Sequence, residues 1–216
     1  ISACLVGSEM CIRDRNCSIH YTGQSGSPFS YVYDGNNLSG DAPFTSGYDL
    51  IYIPYPNEIN EMNFVPLIKK DRYYTIDQQK EALAYYIAND SYLQKRRGQY
   101  AQRNGSRSPF NHRFDIKVHY QFPIKITTKL IRCSVALSLL NAANLFNKNW
   151  GEQLLVPGNR KRLISFEGFV NNQSLIPTYT FDPALIHRPL FELNNSFNAA
   201  RSSNWILQLG CRLSFY

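Results

Sequence analysis

The segment Arg113–Phe122 (RFDIKVHYQF) alternates without a break over ten residues. Phe114, Ile116, Val118, Tyr120 and Phe122 fall on one side, and Asp115, Lys117, His119 and Gln121 on the other. Successive side chains of a strand point to opposite faces, so this run specifies β-structure with one apolar and one polar face. Ten residues of tilted strand also reach across a bilayer. A soluble sheet with one wet face reads identically, so the segment alone leaves both folds open.

Two further runs narrow the choice. Lys129–Ala142 (KLIRCSVALSLLNA) puts Ile131, Cys133, Val135, Leu137 and Leu139 on one face. Ser203–Phe215 (SNWILQLGCRLSF) aligns Trp205, Leu207, Leu209, Cys211, Leu213 and Phe215. Both exceed the usual five or six residues of a soluble strand. Three weaker strands are expected. Asn16–Tyr33 is broken by Gly23–Pro28 and reads as one bulged strand or two short ones; Lys161–Phe169 and Leu175–Asp182, which holds Pro177, complete the set. No run of about 18 apolar residues is present, so a transmembrane helix is not expected. Aromatics at 14% and charged residues at only 18% fit a soluble all-β fold or a membrane barrel.

The connections fall at about 34–112, 123–128, 143–160, 170–174 and 183–202, alternating long and short. Membrane barrels sort their loops this way, with short periplasmic turns and long extracellular loops, whereas a soluble sandwich has no reason to. The first excursion is too long to be structureless. It holds an expected helix near 76–90 (within it QQKEALAYYIAND), capped by Thr75 or Asp77, with Ala82, Tyr85, Tyr86 and Asn89 sharing a face with Leu93. Asp77, Glu81 and Asp90 read as solvated helix residues. The expected fold is therefore all-β: an antiparallel transmembrane β-barrel fragment of about six strands with one helix in a long extracellular loop. Six strands cannot close a barrel whose smallest examples have eight, and an open edge in lipid is costly, so the fragment is open on its own.

The net charge of +7 raises nucleic acid as a partner. The dense cluster Lys95, Arg96 and Arg97 adjoins the helix and reads as a solvated face, so no nucleic acid is expected. Cys4, Cys11, Cys17, Cys133 and Cys211 show neither zinc spacing nor a disulfide framework. Ile1–Arg15 (ISACLVGSEMCIRDR) lacks periodicity; its stretch Cys4–Arg15 resembles a translated sequencing adapter, and residues 1–15 are set aside as an artefact or disordered tail. On that reading the chain lacks its own N-terminal part.

The end of the chain carries a separate signal. Gln208-x-Gly210-x-x-Leu213-x-Phe215, followed by Tyr216, matches the β-signal by which barrel-assembly machinery recognises a last strand. Gly210 would permit a close approach or a bend. Tyr21–Tyr33 (YTGQSGSPFSYVY), Tyr48–Pro54 (YDLIYIP), Arg97–Asp115 (RGQYAQRNGSRSPFNHRFD) and Asn141–Gly151 (NAANLFNKNWG) point further. With the terminal strand, they resemble the C-terminal barrel of TonB-dependent receptors from Bacteroidetes, in the Oar-like group with a carboxypeptidase-regulatory-like domain. The resemblance covers residues 16–216. It implies an outer-membrane, multi-pass barrel of about 22 strands, plugged by an N-terminal domain. It also implies import of a nutrient ligand with energy passed from TonB through that plug, which this chain lacks. The implied partners are outer-membrane lipid, the barrel-assembly machinery, TonB and a surface lipoprotein. A passive porin and a surface-attached β-rich binding module stand as alternatives.

No catalytic motif is found, so no enzyme and no cofactor are expected. His20, His112, His119 and His187 share no metal-ligand spacing. Arg97, Arg103, Asn104, Arg107 and His112 fall where an extracellular loop enters the barrel mouth. Such residues either contact ligand or pin the loop to the rim, the second being commoner. Tyr85, Tyr86, Tyr92 and Tyr100 either stack on a ligand or pack within the folded loop.

Overall fold

A computed structural model of the chain describes residues 15–35, 49–126, 129–171, 174–194 and 203–215. Of the segment 1–15 only Arg15 lies among them, and Tyr48 and Tyr216 lie outside. The strands are β1 (Arg15–Gln24), β2 (Pro28–Gly35), β3 (Tyr52–Ile53), β4 (Leu67–Lys69), β5 (Arg72–Tyr74), β6 (Gln99–Tyr100) and β7 (Ser106–Arg107). They continue with β8 (Asn111–Ile126), β9 (Lys129–Leu140), β10 (Leu154–Leu155), β11 (Arg160–Asn171), β12 (Ser174–Thr180), β13 (Glu192–Leu193) and β14 (Ile206–Phe215). The α-helices are α1 (Pro56–Glu61), α2 (Ile76–Asn89), α3 (Ser91–Lys95) and α4 (Ala142–Phe146). The chain divides into two units, the first built from 1–26, 109–155 and 193–216, the second from 27–108 and 156–192.

The first unit is an open antiparallel sheet in the order β1-β8-β9-β14. Its register sorts the sequence by polarity. Ile19 is opposite Ile116, Ile116 opposite Leu139, and Leu139 opposite Leu207. The rows Cys17–Val118–Leu137–Leu209 and Phe122–Cys133–Leu213 lie on the same face. Ser18, Lys117 and Ser138 with Gln208, and His119 with Ala136 and Gly210, occupy the other face. A one-residue slip in any pairing would mix the two sets, so the side-chain pattern itself fixes the register. The apolar face is largely exposed: Leu209 is 73% and Phe215 71% exposed, while Ile131 and Cys133 are buried. Connections 25–110 and 141–205 leave from one end of this sheet, where Gln24 pairs Asn111 and Leu140 pairs Ile206. The short turn after Ile126 lies at the other end.

The second unit has a core of its own. Phe29, Tyr31 and Tyr33 of β2 pack with Ile51, Ile53, Leu83, Ile87, Leu93, Ile164 and Phe181, all nearly or fully buried. Its sheet runs β12-β11-β2-β7 and is mixed, because β11 lies parallel to β2. Thr75 caps α2 by accepting from the Gln78 N–H, and the Gln78 side chain returns a bond from the Thr75 N–H. Fully buried Gln79 ties α2 to the segments before β4 and after β12. Its amide donates to the Val65 carbonyl at 2.8 Å, and its Oε1 accepts from the Phe181 N–H at 2.9 Å. Asp90 ends α2 and caps α3, taking the Tyr92 and Leu93 N–H groups on Oδ1 and the buried Tyr31 hydroxyl on Oδ2.

Several expectations are corrected here. The chain is mostly β with no closed barrel, but the expected crossings do not form one meander. Asn16–Tyr33 is two strands in different sheets, and β11 and β12 belong to the second unit. The reason is visible in β11, where adjacent Leu163 and Ile164 are both buried and the pairing is bulged. A strand buried on both faces does not alternate. The long excursion holds α1, α2 and α3 rather than one helix. The inner face of α2 is Gln79, Ala82, Leu83 and Ile87, with Tyr85 and Asn89 outside. Asp90 is a buried-phenol acceptor, not merely a solvated residue.

Candidate functional site

The segment Arg97–Ser108 runs as a seam within the second unit, which fixes it residue by residue. Gly98 has φ +76° and its N–H donates to Ile53 at 2.7 Å; a Cβ there would lie 2.3 Å from the Tyr55 ring. Ala101 is buried and its N–H donates to the Ile51 carbonyl at 2.8 Å. The Gln102 N–H reaches the Tyr92 hydroxyl, the Asn104 N–H reaches Ser30 Oγ at 2.7 Å, and the Ser108 N–H reaches Ser27. Small residues and a left-handed asparagine are thus demanded by close backbone approach.

The five candidate residues do not form one cluster. Arg97 is half-buried in the turn after α3, and Arg107 is exposed on β7 opposite Pro28. His112 belongs to the first unit, where its Nδ1 lies 2.7 Å from the Tyr21 hydroxyl beside Phe110 and Phe114. Arg103 and Asn104 meet. Asn104 is pinned through its backbone while its side chain stays exposed, so pinning and an outward-facing amide coexist in one residue. Among the tyrosines, Tyr92 stacks on Tyr31 and Tyr86 packs edge-on to Phe181. Tyr85 is exposed on a shallow groove of about 460 Å³ with Tyr74 and Ile186, and Tyr100 packs edge-on against Tyr52.

Arg103 and Asn104 flank a groove of about 360 Å³ whose floor is Ser30, Val32 and Leu50 and whose far wall is Gly158, Asn159 and Arg160. Among the described residues no carboxylate lines it. The parallel pairing of β2 with β11 sets Arg160 beside Ser30 and Arg162 beside Val32. Gly158 and Arg160 also line a second cavity of about 450 Å³, with Lys161, Arg162 and Glu192. Lys161 shares the face of Tyr31, and burial lowers its ammonium below the ordinary lysine value; Arg188 adds to this and Glu192 opposes it. Arg162 is bridged to Asp34 at 3.4 Å. Among the described residues, Arg103 and Lys161 form neither side-chain hydrogen bonds nor ion pairs. Sequence reading passed over Arg160, Lys161 and Arg162, although three consecutive cations there match the density at 95–97. Only the parallel pairing brings Arg160 to Arg103.

The terminal-strand residues lie in register on β14. Gln208 and Gly210 take the polar face and Leu213 and Phe215 the apolar face. Gly210 does not serve close approach here, since an added Cβ would meet Ala136 only at an ordinary 3.9 Å. No family model matches the chain, and no curated protein and no solved structure matches it.

Proposed function

We propose that the chain is the C-terminal barrel portion of a TonB-dependent outer-membrane transporter that imports a nutrient ligand. On this reading the β1-β8-β9-β14 sheet is wall and the second unit is a folded extracellular region. The observation that carries the proposal is the register: four strands set their long apolar rows on one face, with only the Leu140–Ile206 pair on the other, and send both long connections from one end. A soluble sheet would cover such a face with a second layer; a lipid-facing wall leaves it bare. Along β8 the apolar row from Phe114 to Ile124 spans about 34 Å of strand, or about 26 Å of height at the usual tilt, which matches the apolar band of such barrels. Aromatics fall toward its two ends, Tyr21 and Phe114 at one and Phe122 and Phe215 at the other, as girdles do. The unpaired edges of β1 and β14 would take further strands, and a plug domain would couple the barrel to TonB.

The test is site-directed labelling in outer-membrane vesicles. Cysteines placed at Val118, Leu137 and Leu209 should quench with lipid-soluble reagents, and those at His119, Ser138 and Gln208 with water-soluble ones. Equal aqueous access on both faces would sink the membrane reading. Ligand uptake that persists without TonB would favour the passive porin instead.

A further inference from the structure

We propose that the groove between Arg103, Asn104, Ser30 and Arg160 is a binding site for an oxyanion: a carboxylate, sulfate or phosphate group carried by the ligand. The site lies wholly within the second unit and stands on that unit's geometry whether or not the sheet spans a membrane. Three observations converge. First, the lining offers donors and, among the described residues, no carboxylate: two guanidinium groups, the amides of Asn104 and Asn159, and a serine hydroxyl. Second, one donor is held in place. Ser30 is only 6% exposed, and its oxygen already accepts the Asn104 N–H at 2.7 Å, which leaves its own proton to donate. Among the described residues that proton has no acceptor. Third, Arg103 forms no ion pair among the described residues. Beyond the shared wall of Gly158 and Arg160, the adjoining cavity adds Lys161, Arg162 and Glu192, with Asp34 engaged by Arg162.

A positive, partly desolvated recess with a planar guanidinium at its mouth recognises oxyanions through paired, charge-assisted hydrogen bonds. Its volume of about 360 Å³ admits a sugar-sized group. Val32 and Leu50 give the floor an apolar strip against which the uncharged part of such a ligand can lie. The substrate class that fits is therefore an acidic glycan or a phosphorylated or sulfated small molecule.

Isothermal titration of the whole chain in detergent micelles, with inorganic phosphate, sulfate and galacturonate as probes and galactose as neutral control, tests this. Saturable binding of at least one anion, weakening with ionic strength and absent for galactose, is expected. Preference for the tetrahedral or the planar anion then assigns the group. Arg103→Gln should weaken binding at least tenfold. Arg72→Gln, which removes the same charge from an exposed strand of the same unit, should leave it within twofold. No saturable binding of any anion, or an equal loss in both variants, overturns the proposal. Neither result alters the labelling pattern of the sheet, so this site and the membrane reading fail separately.

Discussion

Gln79 shows how much one polar side chain can hold when everything around it is buried. It is inaccessible to solvent, and it satisfies the Val65 carbonyl and the Phe181 N–H, groups that otherwise have no water to turn to. Gln79→Leu keeps the volume and strands both groups. Loss of roughly 2 to 4 kcal/mol is expected in denaturant unfolding of the second unit. Gly151 is a second fixed point: its φ is +73°, and a Cβ would lie 2.0 Å from Asn141 Oδ1, whose own backbone is left-handed. Gly151→Ala should cost about 2 kcal/mol or more in denaturant unfolding of the first unit. The buried phenols set the alkaline limit. Burial raises Tyr31, Tyr33 and Tyr86 well above the ordinary value of 10.0, with Asp90 adding to the first and third. The folded state therefore keeps protons that the unfolded chain releases. Their stabilisation is whole below pH 10 and is lost above it, at up to about 4 kcal/mol per pH unit for three groups. Lys161 acts in the opposite sense just below 10.5 and is outnumbered. Tyrosinate absorbance should rise for these three only as the unit unfolds; smooth titration without unfolding would contradict it. None of this was legible beforehand, because a buried glutamine looks polar in a periodicity count and the reading of α2 went to Tyr85 instead.

Strands differ in how openly they declare themselves. β8, β9 and β14 were readable because one face of their sheet is apolar and the other polar, which writes a period of two into the chain. The hairpin β11–β12 was assigned to the same wall because its length and spacing fit. Its adjacent buried Leu163 and Ile164, its bulges and its parallel partner belong to a core with two covered faces. On β14 the two faces should answer substitution differently. Leu209→Arg puts a charge on the apolar row and is expected to reduce stable assembly in outer-membrane vesicles by about 2 to 4 kcal/mol, read by heat-modifiable electrophoretic mobility. Gly210→Ala meets only ordinary contact with Ala136 and should change stability by less than about 0.5 kcal/mol. The groove was half-legible in the same way. Arg103 and Asn104 stood out within a dense local motif, whereas Arg160 enters only through a pairing with Ser30 across most of the chain.

The molecule as a whole is two arrangements of unlike physics: a sheet without a second layer, and a unit closed around aromatic residues. Hydrogen exchange should separate them, with amides of Ile53, Ile87 and Ile164 protected as one cooperative group even in detergents that loosen the sheet. Exchange of both at a common rate would argue against distinct units. The connectivity of the second unit has a consequence for timing. Its core joins residues 29–101 to residues 156–181, and everything between, the β8–β9 hairpin included, interrupts it. The bond from the Phe181 N–H to Gln79 closes a separation of 102 residues. A core built from such distant parts cannot form while the chain is still arriving, and loop closure makes it slow once the chain is complete. Until residue 181 has emerged, Tyr31 and Tyr33 can meet Ile51, Leu83 and Leu93 but lack Ile164 and Phe181. For that interval the segment that will later bear the oxyanion groove is a partly uncovered aromatic tract, the kind of surface from which aggregation starts.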